Sequence, residues 1–217
     1  MEYLDYYNSK GIHLGKETRQ IVHAKGLWHK TFHCWIIYEN ENGEKMIVMQ
    51  KRGKEKKSAP HKLDSSVAGH YSAGENIEGG LREFKEETGI SVMENDLISL
   101  GIRISVSDYK PNSINKEFQD VFFVKNKIDL NEYNLPVNEV SGMVELPINK
   151  CIQLLTGKIE NFSAKGVFTD EVNKTSELSI KRIDIHKNDF ISFIDNFHLK
   201  IMLLAERALS NEKDLFI

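Results

Sequence analysis

The chain has 217 residues, and its 29 basic and 32 acidic side chains leave a formal net charge of −3. With 40% hydrophobic and 28% charged residues it fits an ordinary globular domain, and the near-balanced charge gives no footprint for a nucleic-acid polymer or an anionic membrane. The two cysteines, Cys34 and Cys151, stand in no C-x-x-C spacing, which excludes a disulfide scaffold and a cysteine zinc knuckle and fits a reducing compartment.

The start, MEYLDYYNSK, lacks the basic and apolar regions of a secretory leader. No apolar run approaches the roughly 20 residues of a membrane span, so a cytoplasmic location is expected. The next segment has turn chemistry at Asn8 to Gly11 between short mixed runs and predicts an N-terminal β-hairpin. A second hairpin is clearer: Thr31 to Tyr38 and Lys45 to Gln50 flank Asn42-Gly43, the strongest short hairpin signal. KRGKEKKSAPHK follows as a basic loop, then Ser65 to Ala68 as a short buried strand, then a helix from Gly74 to Gly89.

LISLGIRISV and EFQDVFFV predict two more strands around a loop, DYKPNSINK. VSGMVEL predicts another strand and NKCIQLLTG a short helix. From Asn188 to Ala208, apolar residues recur at helical spacing (Phe190, Phe193, Ile194, Phe197, Ile201, Leu204, Ala208), predicting a C-terminal helix. Lys158 to Lys187 shows no clear period. These elements predict an α/β fold, a mixed sheet with helices on both faces. No linker is visible, so 1–217 is expected to be one domain, with 158–217 as a C-terminal extension.

The helix GENIEGGLREFKEETGI combines two penalties. Glu83, Glu86 and Glu87 crowd one turn, where like charges at i+3 and i+4 cost about 0.2–0.5 kcal/mol each. Gly79 and Gly80 lie inside the helix at about 1 kcal/mol each against alanine. At 100° per residue, Ile77, Leu81, Phe84 and Thr88 form the expected core stripe, with the glutamates roughly opposite. Asn76 is the expected N-cap and Gly89 the left-handed C-terminal cap. On the acidic side the glycines bare the backbone for something bulky and polar, or for another chain segment. A solvated acidic face is the plain alternative. Three carboxylates on a rigid helix also suit a divalent cation, which takes hard oxygen ligands.

REFKEETGI, Arg82 to Ile90, resembles the core of the Nudix box, with every fixed position filled. Gly69 is followed after five residues by Glu75, as in that family, but six residues separate Glu75 from Arg82 where the common box has seven. GLWHKTFHCWII, MQKRGKEKK, SSVAGHYSAGE and KEFQDVFF resemble the isopentenyl-diphosphate-isomerase-like branch, over roughly residues 2–157. The resemblance implies a Nudix-type α/β/α sandwich and Mg²⁺- or Mn²⁺-dependent hydrolysis of a diphosphate linked to another group, often a nucleoside. Its partner is then a small nucleotide-like diphosphate, and a homodimer is the commonest assembly.

Residue by residue, Glu83, Glu86 and Glu87 match the metal-binding glutamates, Gly69 the glycine that opens the box, and Arg82 its usually structural arginine, here with Glu86 at i+4. Glu86, Glu87 or Glu139 is the candidate base, Glu139 otherwise being a surface turn residue. Arg52 and Lys56, in the basic run Lys51, Arg52, Lys54, Lys56 and Lys57, are candidates for clamping an anionic substrate, together with His70. His23, His29, His70 and Glu117 fall near the isomerase metal positions, and Glu117 is alternatively a ligand of the glutamate-held ion. Isomerases of this branch carry a catalytic cysteine where Ala68 stands, so isomerisation is not expected. A catalytically silent binding module is the remaining alternative. Trp28 and Trp35 read as core.

Overall fold

The computed structural model describes residues 1–56, 58–110, 113–170 and 175–217. The N-terminal hairpin forms as expected. β1 (Tyr3–Tyr7) pairs antiparallel with β2 (His13–Thr18), and Asn8 Oδ1 accepts the N–H groups of Lys10 and Ile12 across the turn. Thr18 caps α1 (Arg19–Lys25) by accepting from Ile21 N, and Gly26 closes it at φ 59°. β3 (Trp28–Glu39) and β4 (Lys45–Arg52) form the second hairpin. Its turn works as the sequence requires: Gly43 takes φ 73°, and Asn40 Oδ1 accepts from Asn42 N and Glu44 N.

Beyond Ile36 and Val48 the strands β3 and β4 diverge, and the chain fills the gap with two short strands, β5 (Leu63–Asp64) on β4 and β6 (Val67–His70) on β3. The single strand expected at Ser65 to Ala68 is therefore corrected. Ser65 and Ser66 link β5 to β6, and the Ser66 hydroxyl accepts Ile36 N and donates to Val48 O, joining the parted strands. α2 (Ile77–Thr88) follows, then β7 (Leu97–Lys110) and β8 (Ser113–Lys125), a long hairpin. The loop expected at 108–116 is thus mostly strand, while Pro111 and Asn112 lie outside the described residues, as does Lys57 of the basic run.

β9 (Val140–Pro147) and α3 (Ile148–Leu155) stand where expected. The unreadable span supplies β10 (Asn161–Asp170) and β11 (Thr175–His186), an antiparallel pair that widens the sheet beyond β9. The C-terminal helix is shorter than expected: α4 runs Phe197–Leu209 after Asn196 at φ 53°. Phe190 bridges to Leu63 and is buried, whereas Ile194 is fully exposed. The apolar spacing before Phe197 comes from separate anchors in an irregular segment, not from one helical face.

All strands join one sheet, ordered β11-β10-β9-β4-β3-β1-β2, with β8 beside β3 and β7 beside β8. β3 and β8 run parallel and the other strand pairs antiparallel, so the sheet is mixed. Strand alternation splits the core in two. Trp35, Ile37 and Phe123 pack with Leu154 of α3 and Ile201 of α4. Phe32, Cys34 and Ile36 pack with Phe84 of α2. Phe32, Trp35 and Phe84 are fully buried, each stabilising the fold by about 1.5–3 kcal/mol. The arrangement is an α/β/α sandwich.

Candidate active site

α2 lies with Glu87 buried against the sheet and Glu83 half-buried beside it. Its buried residues are Gly79, Gly80, Phe84, Glu87 and Thr88, so the expected inner stripe through Leu81 is rotated towards the acids. The glycines explain the rotation. A Cβ on Gly80 would stand 2.2 Å from the Phe32 ring, and one on Gly79 would stand 2.5 Å from the Glu75 carboxylate. The helix comes close to β3 at its bare backbone, and the space there is filled by the protein's own side chains. Asn76 precedes the helix without a side-chain capping bond, whereas Gly89 ends it at φ 80° as expected.

Glu87 is only 4% exposed. Its Oε2 accepts from Ala68 N at 3.1 Å and Gln50 Nε2 at 3.0 Å. Burial pushes its carboxyl up to about 7, against the pull of the Lys56 ammonium 3.8 Å away. Glu83 rests on Gly69, where a Cβ would lie 2.3 Å from the carboxylate carbon. Its carboxyl is also raised, first by burial and further by Glu86 and Glu139, against Arg82. Glu86 is exposed.

Arg82 ties the cluster together. It grips Glu75 with Nε and Nη2 at 3.2 and 3.0 Å, and Nη1 reaches Glu83 at 2.8 Å and Glu86 at 3.0 Å. The expected i+4 pair is present, and Glu75, which also accepts from Ser72 N, is part of the same scaffold. The shorter spacing between Glu75 and Arg82 therefore leaves their contact intact.

Glu139 arrives on the loop before β9. Its carbonyl accepts Gly53 N at 2.7 Å, and its carboxylate meets Lys56 Nζ at 2.7 Å. Lys56 thus bridges Glu139 and Glu87, joining two distant parts of the chain at one site. Arg52 differs from expectation. Its guanidinium donates to Asp64 Oδ2 at 2.9 Å and to the carbonyl and hydroxyl of Ser58, so it braces β4 against the loop and β5. The Gln50 contact went unread in the sequence, where a lone polar residue in MIVMQ was its only signal.

Beside this cluster lies a second group. His23 of α1, His29 of β3 and His70 of β6 bring one ligand atom each within 4.8 Å of one another. His29 Nδ1 contacts Leu27 O at 3.0 Å, while the Nε2 atoms of His29 and His70 are buried without a hydrogen-bond partner in the protein. Burial keeps all three neutral, with His23 pushed down to about 4. Glu117 sits 3.9 Å from His29 Nε2 and accepts from Asn115 and Gln119. The alternative that joined Glu117 to the helix glutamates is corrected: β3–β8 pairing sets it opposite His29. Trp35 is core as expected, whereas Trp28 is half-buried and stacks on Phe118.

The donor sets suit metal ions. Carboxylate oxygens around Gly69 suit a hard cation such as Mg²⁺ or Mn²⁺, and neutral imidazoles with a carboxylate suit a transition metal. Acids already raised by burial and mutual repulsion are those a cation relieves.

The NUDIX domain family matches residues 28–163. An uncharacterised Nudix hydrolase of Clostridium acetobutylicum is 36% identical over 204 residues, covering 94% of this chain and 96% of that one. An isopentenyl-diphosphate Delta-isomerase of Aliivibrio fischeri is 29% identical over 144 residues, 65% of this chain and 78% of that one. A crystal structure from Deinococcus radiodurans shares the fold at a TM-score of 0.54 with 20% identity, over 72% of this chain and 90% of that one. With the match over most of its length and the glutamate helix set against Gly69, the chain belongs to the Nudix hydrolase family.

Proposed function

We propose that the whole chain acts as one domain that hydrolyses a diphosphate bond in a nucleoside diphosphate linked to another group, with Mg²⁺ or Mn²⁺. The observation that supports this reading most is the convergence of Glu83, Glu86, Glu87 and Glu139 around Gly69 and Lys56. Glu83, Glu86 and Glu87, with the Gly69 backbone, would hold a divalent cation, which when bound would supply charge neutralisation and P–O polarisation at the diphosphate.

The remaining work falls to this chain's own groups. Lys56 offers an ammonium to a phosphate oxygen. Glu139, exposed and hydrogen-bonded to Lys56, is placed to take a proton from the attacking water, with Glu86 and Glu87 as the other candidates. Arg82 positions Glu83 and Glu86, and Arg52 holds the loop that carries Lys56. His23, His29, His70 and Glu117 form a candidate second metal site whose buried, unpartnered Nε2 atoms favour it.

Isomerisation is opposed by chemistry at β6. Ala68 carries no titratable group, and Cys34 and Cys151 are buried with thiols pushed up, so neither replaces it. A silent binding module is opposed by the complete glutamate set. Phosphate or nucleotide release from a panel of diphosphates in Mg²⁺ tests the reading. Loss of turnover in Glu86→Gln and Glu87→Gln proteins is expected. Unchanged turnover in both, or tight binding with no cleavage of any diphosphate, refutes it.

A further inference from the structure

β7 is an edge of the sheet. It pairs with β8 on one side, and among the described residues no strand pairs with its other side. Near its start Ile217 N donates to Leu100 O at 2.9 Å; from Ile102 onward the outer side is open. An open edge is a row of unpaired N–H and C=O groups that invites another strand, and proteins guard it with charges. Other edges of this sheet are guarded. β11 exposes Lys181, Arg182 and Asp184, and β2 exposes Lys16. Between Leu97 and Ser107, β7 has one charged residue, Arg103, and it is turned inwards. Asp195 and Gln119 hold its guanidinium, which stacks 3.8 Å over the Phe197 ring.

In place of charges, this edge carries exposed apolar side chains on both faces. Ile102, Ile104 and Val106 stand opposite Asp120, Phe118 and Lys116 of β8. They share the α2 face, since Asp120 and Ile77 of α2 line one cavity, and they are 55%, 64% and 59% exposed. On the other face Ile194 is fully exposed next to Asp195, the partner of Arg103. Phe216, 75% exposed, precedes the Ile217 that bonds Leu100. At about 150–200 Å² for a whole exposed side chain, these five offer about 550–700 Å², close to the roughly 800 Å² per partner of a stable interface before any backbone is counted. One apolar face alone would suit the packing of face on face. Apolar groups flanking a free edge on both sides suit a strand added in the plane of the sheet.

The occupant that fits is a second copy. The edge has no charge with which to select a partner of opposite sign. Antiparallel strands related by a two-fold axis complement themselves, and residues of one face meet residues of the same face. An axis near Ile104 brings the three aliphatics of each copy together as cross-strand pairs. The glutamate cluster lies beyond β3, where Glu87 meets Gln50 of β4 and Ala68 of β6, so such pairing leaves it open.

We infer that two copies of this chain join edge to edge through β7, by antiparallel pairing that runs their sheets into one. Sedimentation velocity on the full chain from about 1 to about 100 μM should show a dimer, since interfaces of this size bind at micromolar strength or better. Ile104→Lys puts a charge into the seam and is expected to weaken the dimer at least about 100-fold, with the fold checked by circular dichroism. Ile194→Lys, outside every strand, is the second variant should Ile104→Lys not fold. Ile180→Lys, exposed on the far edge β11, should leave the dimer unchanged. Backbone amides of residues 102–106 should exchange hydrogen at least about tenfold more slowly in the dimer than in the diluted monomer. A parent protein that stays monomeric throughout that range leaves the edge to a different protein and overturns the inference. So does a dimer unmoved by both Ile104→Lys and Ile194→Lys, or one whose amides at 102–106 exchange as fast as in the monomer.

Discussion

Adding one methyl group at each of two glycines should have opposite consequences. At Gly80 a Cβ would meet three atoms of the Phe32 ring at 2.2, 2.6 and 2.7 Å. That ring is fully buried, stacks on Phe122 at 5.3 Å and has no room to withdraw. Alanine improves helix propensity by about 1 kcal/mol. Overpacking costs about 1–3 kcal/mol, and a contact this short belongs at or above the top of that range. The net loss for Gly80→Ala is at least about 2 kcal/mol, a fall of about 4–8 °C in melting temperature for a chain of this size. At Gly69 the obstructing atoms are the Cγ, Cδ and Oε2 of Glu83, the far end of a flexible side chain. Glu83 can swing away, so Gly69→Ala should cost under about 1 kcal/mol of stability. It should, however, weaken Mn²⁺ binding about 10–100-fold by moving a ligand. Thermal melts by circular dichroism and Mn²⁺ titration calorimetry read both quantities in both proteins. Undiminished Mn²⁺ affinity in a folded Gly69→Ala protein, or an unshifted melt in Gly80→Ala, refutes the reasoning.

Three further outcomes are expected. Glu87 has a folded-state value of about 7, above the usual 4.5, so its favourable contribution is fully present below about pH 4.5 and lost as pH rises through 7. Metal-free Glu87→Gln should thus be more stable than the parent at pH 8, by up to about 3 kcal/mol, with no advantage at pH 4; equal urea midpoints at pH 8 would contradict this. Glu139→Gln should lower kcat about 10²-fold with Mn²⁺ affinity within a factor of two, measured by steady-state kinetics and calorimetry; an unchanged kcat removes Glu139 as the base. Arg82→Lys keeps the charge but loses the fork on Glu75, and should cost about 1 kcal/mol and loosen Mn²⁺ binding; a melt and titration matching the parent would show that the fork is dispensable.

Much of this protein was legible in local pattern. Asn-Gly at the second hairpin, the fixed positions from Arg82 to Ile90 and Gly89 at φ 80° each depend on neighbours within a few residues, which the sequence displays directly. Tertiary structure decided the rest. The helical wheel placed Glu87 away from the core because it could not know that Gly80 would sit on Phe32 and turn Glu87 inward. Apolar spacing extended the last helix to Asn188, whereas Phe190 is held by Leu63, a contact across the fold. The meeting of Lys56 with Glu139, and of Glu117 with His29 rather than the glutamates, depends on sheet register and loop closure. A pattern of nearby residues fixes which groups lie on one element. Which groups then become neighbours depends on how closely two backbones can approach, and at α2 that distance was set by Gly80 facing the ring of Phe32, far away in the chain.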